Sequence, residues 1–152
     1  MVPSIVPAAI SHIPHIAANI READKTELWD YLLMRPMEAL TMSLEVSTLA
    51  WTGMADDIPV CMFGVAPAST LTDTGRPWMI GTRLVDVYAF AFLRRNRKMV
   101  EVMKDHYPRL ENYVEDCNTR AIQWLKWLKF TIGRPAPIGP FQKPFCMFWM
   151  ES

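Results

Sequence analysis

At 152 residues the chain is long enough to bury most of its apolar surface in one domain without a metal or disulfide as a staple. Its 16 Lys and Arg balance 16 Asp and Glu, and a formal net charge of zero argues against a dedicated nucleic-acid binder, which carries a basic excess. Cys61, Cys117 and Cys146 are odd in number, far apart and without C-x-x-C spacing, which points to reduced, mostly buried thiols of a cytosolic protein and to no metal site.

Met1 to Ile20 carry no formal charge with His neutral. Pro3, Pro7 and Pro14, with His12 and His15 among them, break any continuous apolar helix, and no basic segment precedes the apolar part. Residues 1–12 therefore read as an extended apolar arm ahead of one domain spanning 13–152, with no membrane span. Such an arm lies on its own domain or packs against a partner chain. The H-x-x-H pair of His12 and His15 has a Pro inside it and no Cys, Asp or Glu nearby, so it is a poor metal site.

His15 to Ile20 reads as a short strand. Asp24 with Glu27 three residues on is close to a capping box ahead of the apolar Leu28, Trp29, Leu32 and Leu33 of a first helix. Pro36 suits the first turn of a second helix whose buried face carries Met37, Leu40, Thr41 and Leu44. Thr48 to Gly53 and Val60 to Val65 form two strands around a turn with Asp56 and Asp57, a β-hairpin. A loop rich in Pro, Gly and Thr from Ala66 to Pro77 leads to a strand over Trp78 to Thr82. Ala89 to His106 is the longest helix, with a basic cluster of Arg94, Arg95, Arg97 and Lys98. Leu110 to Asp116 is a strand, Phe130 to Ile132 begins another, and Phe145 to Met150 is a last one so apolar that, at a sheet edge, it needs covering by the arm or another chain. Pro135, Pro137, Pro140 and Pro144 mark a loop between the last two.

Asn118-Thr-Arg-Ala121-Ile-Gln-Trp124-Leu-Lys-Trp127-Leu128-Lys-Phe130 joins an N-cap residue to an amphipathic helix and then a strand. The Asn118 side-chain oxygen can accept from the first free helical N–H groups. Ala121, Leu125 and Leu128, with Trp124 and Trp127 beside them, make one wide apolar stripe.

This segment resembles a characteristic motif of the GNAT acyltransferases, in which an Asn opens a helix, a small residue follows three positions on, and a Gly-Phe pair starts the next strand. Asn118, Ala121 and Phe130 match, while Lys129 stands where the Gly belongs. The resemblance implies an α/β (α+β) fold, a mixed and mostly antiparallel central sheet of about six to seven strands flanked by about four helices. A narrower resemblance is carried by Trp51-Thr-Gly53, Met62-Phe-Gly-Val65, Gly75-Arg-Pro-Trp78, Tyr107-Pro-Arg-Leu-Glu-Asn112 and Asn118-Thr-Arg-Ala121. It is to small GNAT-like proteins of short-tailed bacteriophages, some of them internal virion or morphogenesis proteins.

In the GNAT family a glycine-rich loop between the fourth strand and the long helix holds the CoA pyrophosphate on backbone N–H groups. The corresponding place here is Phe92 to Lys98, which has no glycine, so Arg94, Arg95, Asn96, Arg97 and Lys98 would hold acetyl-CoA by side chains, together with Asn118. The Tyr that many members use to protonate the leaving thiolate is Leu125 here, which leaves Tyr113, Cys117 and Glu111 as weak catalytic candidates and Glu45 or Asp86 as a possible base.

Three readings follow. The first is a bacteriophage virion-associated or morphogenesis protein, degenerate in acyl-CoA binding and needing no cofactor. It would contact other phage or host proteins through the arm and the Pro-rich loop, as an oligomer or part of an assembly, in the virion or host cytoplasm. The alternative is an active acyl-CoA-dependent N-acyltransferase acting on a protein or small amine. The third is a non-catalytic effector directed at the host. Loss of the glycine loop and the motif Tyr tilts the choice to the first.

Overall fold

A computed structural model describes residues 1–151. Seven strands, β1 (Pro3–Pro7), β2 (Leu49–Ala55), β3 (Ile58–Pro67), β4 (Thr74–Gly81), β5 (Arg109–Glu115), β6 (Thr131–Ile138) and β7 (Lys143–Glu151), form one sheet in the order β1-β2-β3-β4-β5-β7-β6. Every pairing is antiparallel except β4 with β5. The helices are α1 (Ile13–Ala18), α2 (Glu22–Leu32), α3 (Pro36–Val46), the single turn α4 (Leu84–Val87), α5 (Ala89–His106) and α6 (Thr119–Trp127). The mixed, mostly antiparallel sheet with helices on both faces is the architecture expected from the sequence.

Alternation along β3 divides the core in two. Cys61, Phe63 and Val65 turn to one face, where Phe92, Val100 and Met103 of α5 cover them. Met62 turns to the other, where Ile13 and Ile16 of α1 and Ala39 and Leu40 of α3 pack with Ile80. Gly64 lies where the strands β2 and β3 come so close that an added Cβ would stand 2.3 Å from the Leu49 carbonyl oxygen.

The parallel pair β4/β5 is joined only at Thr74 with Arg109 and Gly75 with Leu110, after which the strands part. Asn112 spans the gap: its Nδ2 donates to the Pro77 carbonyl at 2.8 Å, and its Oδ1 accepts the Tyr113 N–H at 2.8 Å. One side-chain amide thus stands in for strand pairing at the point where the wedge opens.

Several expectations are corrected. Five residues of the N-terminal segment form β1 at the sheet edge, from Pro3 opposite Ala55 to Pro7 opposite Trp51. His15 to Ile20 is not a strand; Pro14 sits in the first turn of α1, where its missing N–H costs nothing, and only Ile20 bridges to Thr82. The prolines Pro135 and Pro137 lie in β6 rather than in a loop. They are tolerated because β6 is the other edge and is bulged between Ile132 and Pro135. Prolines at both edges, Pro3 and Pro7 in β1 and those two in β6, limit further strand addition. The apolar β7 is interior, between β5 and β6, so its neighbours already cover it. Cys61 and Cys146 are buried, whereas Cys117 is exposed.

Candidate functional site

The gap between β4 and β5 opens into a cavity of about 360 Å³, within the size range of ligand pockets. Its walls come from both faces of the sheet: Leu28, Tyr31 and Met42 from α2 and α3, Asn96 and Val100 from α5, and Ala121, Trp124, Leu125 and Leu128 from α6. The apolar stripe predicted for α6 is therefore only half-buried. It walls a cavity instead of filling a solid core.

Asp24 and Glu27 do not cap α2. That helix starts one turn earlier behind Arg21, and the two acids turn inward on the face that also carries Leu28 and Tyr31, all four lining the cavity. Glu27 Oε1 accepts the Glu115 N–H at 2.7 Å and lies 3.4 Å from the donating Nδ2 of Asn118. Among the described residues no protein group bonds its second oxygen. Loss of water pushes the Glu27 carboxyl up to about 7, with the Asp24 and Glu115 carboxylates adding to the rise against its two hydrogen bonds. Burial, with Asp30 alongside, likewise lifts Glu115 to about 7.

Asp24 is committed elsewhere. Its Oδ1 accepts from Arg21 Nη1 at 2.9 Å and its Oδ2 from the Gly81 N–H at 2.8 Å, while burial pushes its carboxyl up against that support. Arg21 also reaches Asp86 at 3.4 Å and lies over the Trp124 ring at 5.0 Å, and Arg120 reaches the same Asp86 oxygen at 3.0 Å. The ends of α4 and α6 are tied through this one carboxylate, so Asp86 is no free base. Glu45 is exposed on α3, away from the cavity lining.

Asn118 holds the N-cap position of α6, yet its side chain makes no cap hydrogen bond. It is 4% exposed, and among the described residues its Oδ1 has no partner; Asn96 is 7% exposed, and its Oδ1 has none there either. Both line the cavity. The rest of the basic cluster is elsewhere. Arg94 to Lys98 lie beyond the first turn of α5, not in the connection after β4, which runs from Thr82 to Tyr88 and folds into α4 with no glycine. Arg95 donates to its own helix at the Ala91 carbonyl, Arg94 lies over Phe90, Arg97 lies 4.1 Å over Trp127, and Lys98 is exposed.

Among the catalytic candidates only Tyr113 lines the cavity. Glu111 accepts from Arg109 at 2.9 Å outside it, and Cys117 is exposed, its thiol pushed up by burial of the sulfur and the nearby Glu115. Glu27 was missed because an acid in the early part of a helix reads as a cap. The signal that finds it is the i, i+3, i+4, i+7 spacing of Asp24, Glu27, Leu28 and Tyr31, which puts two acids on the apolar face.

No protein-family model matches the chain, and no curated protein matches it. Solved structures do. The chain is similar to an N-acetyltransferase from Staphylococcus aureus Mu50, with a TM-score of 0.76, 11% identity and 99% of each chain covered. A ribosomal-protein-alanine N-acetyltransferase from Brucella melitensis gives 0.78 and 12%, over 98% of this chain and 99% of that one. The spermidine N-acetyltransferase from Vibrio cholerae, solved with CoA and spermine, gives 0.70 and 8%, over 98% and 95%. The order of elements, the parting of β4 from β5 and these likenesses agree: the chain has the GNAT fold.

Proposed function

We propose that the chain is an acyl-CoA-dependent N-acyltransferase in which Glu27 takes the proton that the acceptor amine must lose. The observation that carries this reading is the placement of Glu27, a carboxyl titrating at about 7 in the wall of the cavity where the sheet parts. A general base works best with a pKa near the operating pH, and a carboxylate in water, far below that, would be too weak.

Acyl-CoA fits the orphaned polar atoms of the cavity. The amide oxygens of Asn96 and Asn118 are buried without partners among the described residues, which is costly unless a ligand donates to them, and the pantetheine arm carries amide N–H groups. Arg94, Arg97 and Lys98, on the outer side of the helix that carries Asn96, would hold its phosphates by side chains in place of a glycine loop. When bound, acyl-CoA supplies an acyl group already activated as a thioester. Glu27 accepts the amine proton on the oxygen that no described protein group bonds, while the Glu115 N–H and the Asn118 amide hold the other oxygen still. Tyr113, which shares the cavity wall with the hydroxyls of Tyr31 and Ser43, returns a proton to the leaving thiolate, since Leu125 offers none.

Calorimetric titration with acetyl-CoA at low and moderate salt tests the reading. Saturable binding that survives moderate salt and weakens in an Arg94→Ala/Arg97→Ala double variant is expected, because a specific site is screened less than loose charge attraction. No heat at high ligand concentration sinks it.

A second reading, a non-catalytic GNAT-fold component of a phage particle or a host-directed effector, is favoured by the glycine-free connection after β4 and by the ion pairs of Asp86 with Arg21 and Arg120. It expects no acetyl-CoA binding and stable capture of a phage or host protein.

A further inference from the structure

We infer that the amine acceptor of this site is a primary monoamine with an apolar body, bound with its ammonium on Glu27 and its body against the aromatic and aliphatic wall. This rests on the acyltransferase reading and adds the class of acceptor to it.

The charge inside the cavity sets the valence of the ligand. Two carboxyls line it, and Asp24 is already satisfied by Arg21 and the Gly81 N–H. Of these two, only Glu27 has an oxygen without a protein partner among the described residues, so the cavity wall has one place for one cation. The wall also carries Arg76, exposed on β4 and without an acidic partner within 4 Å among the described residues. A polycation would bring its remaining charges to an apolar lining and an unpaired guanidinium, with a desolvation cost and nothing to offset it.

The mouth sets the body. Leu32 and Val46 are 40% and 51% exposed and both belong to the lining, so the rim of the cavity is largely apolar beside Arg76. Tyr31 and Trp78 stand deeper, the Trp78 ring N–H held by Ser47 at 2.7 Å. A flat or branched apolar group buried here is stabilised in proportion to the apolar area it removes from water. That is the usual composition of a ligand site, apolar walls with few convergent polar groups.

The test is calorimetry without acyl-CoA, at pH 8, with phenethylamine, its neutral counterpart 2-phenylethanol, and spermidine, on the wild-type chain and on Glu27→Gln. Saturable binding of phenethylamine is expected, with affinity at least about tenfold higher than for 2-phenylethanol or spermidine, and with that advantage lost in E27Q. The comparison of the two phenyl compounds on the wild type stands even if the variant misfolds. Spermidine binding as tightly as phenethylamine, or phenethylamine failing to bind, overturns the inference. If acetyl-CoA binds and phenethylamine does not, the acceptor class is wrong and the enzyme reading stands. If phenethylamine binds as described and acetyl-CoA does not, the cavity chemistry stands and the enzyme reading fails.

Discussion

The backbone N–H of Glu115 donates to Glu27 Oε1 at 2.7 Å across 88 positions of sequence, fastening the end of β5 to the middle of α2 through a half-buried carboxylate in the cavity wall. A group held this way is fixed in direction, and its protonation follows from the cavity around it.

For transfer activity, Glu27→Gln keeps the size and the hydrogen bonds but cannot accept a proton. The rate constant kcat is expected to fall by about 10²–10⁴-fold with a smaller change in KM. In the wild type, kcat/KM should rise with pH and level off above about 7, since the ionised carboxylate is the active form. Steady-state assays across pH 5.5 to pH 9 check both, and an E27Q profile with the same inflection would remove Glu27 from the role.

Stability should move the other way with pH. The Glu27 carboxyl titrates near 4.5 when unfolded and at about 7 in the fold, so between those values the folded chain keeps a proton that the unfolded chain has lost. Its contribution favours folding fully below 4.5 and is lost as pH rises to 7, by about 3 kcal/mol at most. Urea unfolding at pH 5, pH 6 and pH 8 is expected to show the fall, and E27Q to be more stable than wild type at pH 8. Glu115 shifts in the same direction, so the variant should flatten the slope without abolishing it.

Lys129 holds the left-handed position after α6, with φ of 78°, and the Phe130 N–H reaches the Leu125 carbonyl at 3.0 Å while the Lys129 N–H reaches Lys126 at 3.0 Å. That is the Schellman arrangement, in which glycine is preferred because an L side chain crowds the backbone. Lys129→Gly is expected to stabilise the fold by about 0.5–1 kcal/mol, read as an increase in the denaturation midpoint at unchanged m-value. A decrease would mean that the Lys129 side chain makes a contact worth more than the strain.

Gly64→Ala tests the sheet. Its Cβ would press on the Leu49 carbonyl, a backbone atom with no freedom to turn away, so a loss of at least about 2 kcal/mol is expected in thermal or chemical unfolding. A neutral effect would show that β2 and β3 are not in the register described.

Much of the architecture was legible in the chain. The helix over Ala89 to His106, the hairpin closed at Asp56 and Asp57, the helix opened by Pro36 and the strand–helix–strand run around Asn118 all carry local signals: period, caps and turn residues. Even the misfit of Lys129 was visible as a departure from a glycine position, and its positive φ explains it. What local pattern could not supply was partnership. Pro135 and Pro137 punctuate a loop in any sequence reading, yet an edge strand has one row of backbone groups free, so it admits them. Asp24 and Glu27 pass for a helix cap by spacing alone, and α1 for a strand by its isoleucines. Only the packing of α2 over the parted strands β4 and β5 turns the two acids inward, and only that enclosure removes the water that would keep Glu27 an ordinary carboxylate. The sequence by itself determined helix or strand where period, caps and turn residues signal it, and which face of α6 is apolar. The tertiary structure decided where charge is buried, because burial depends on what distant segments bring to the same place.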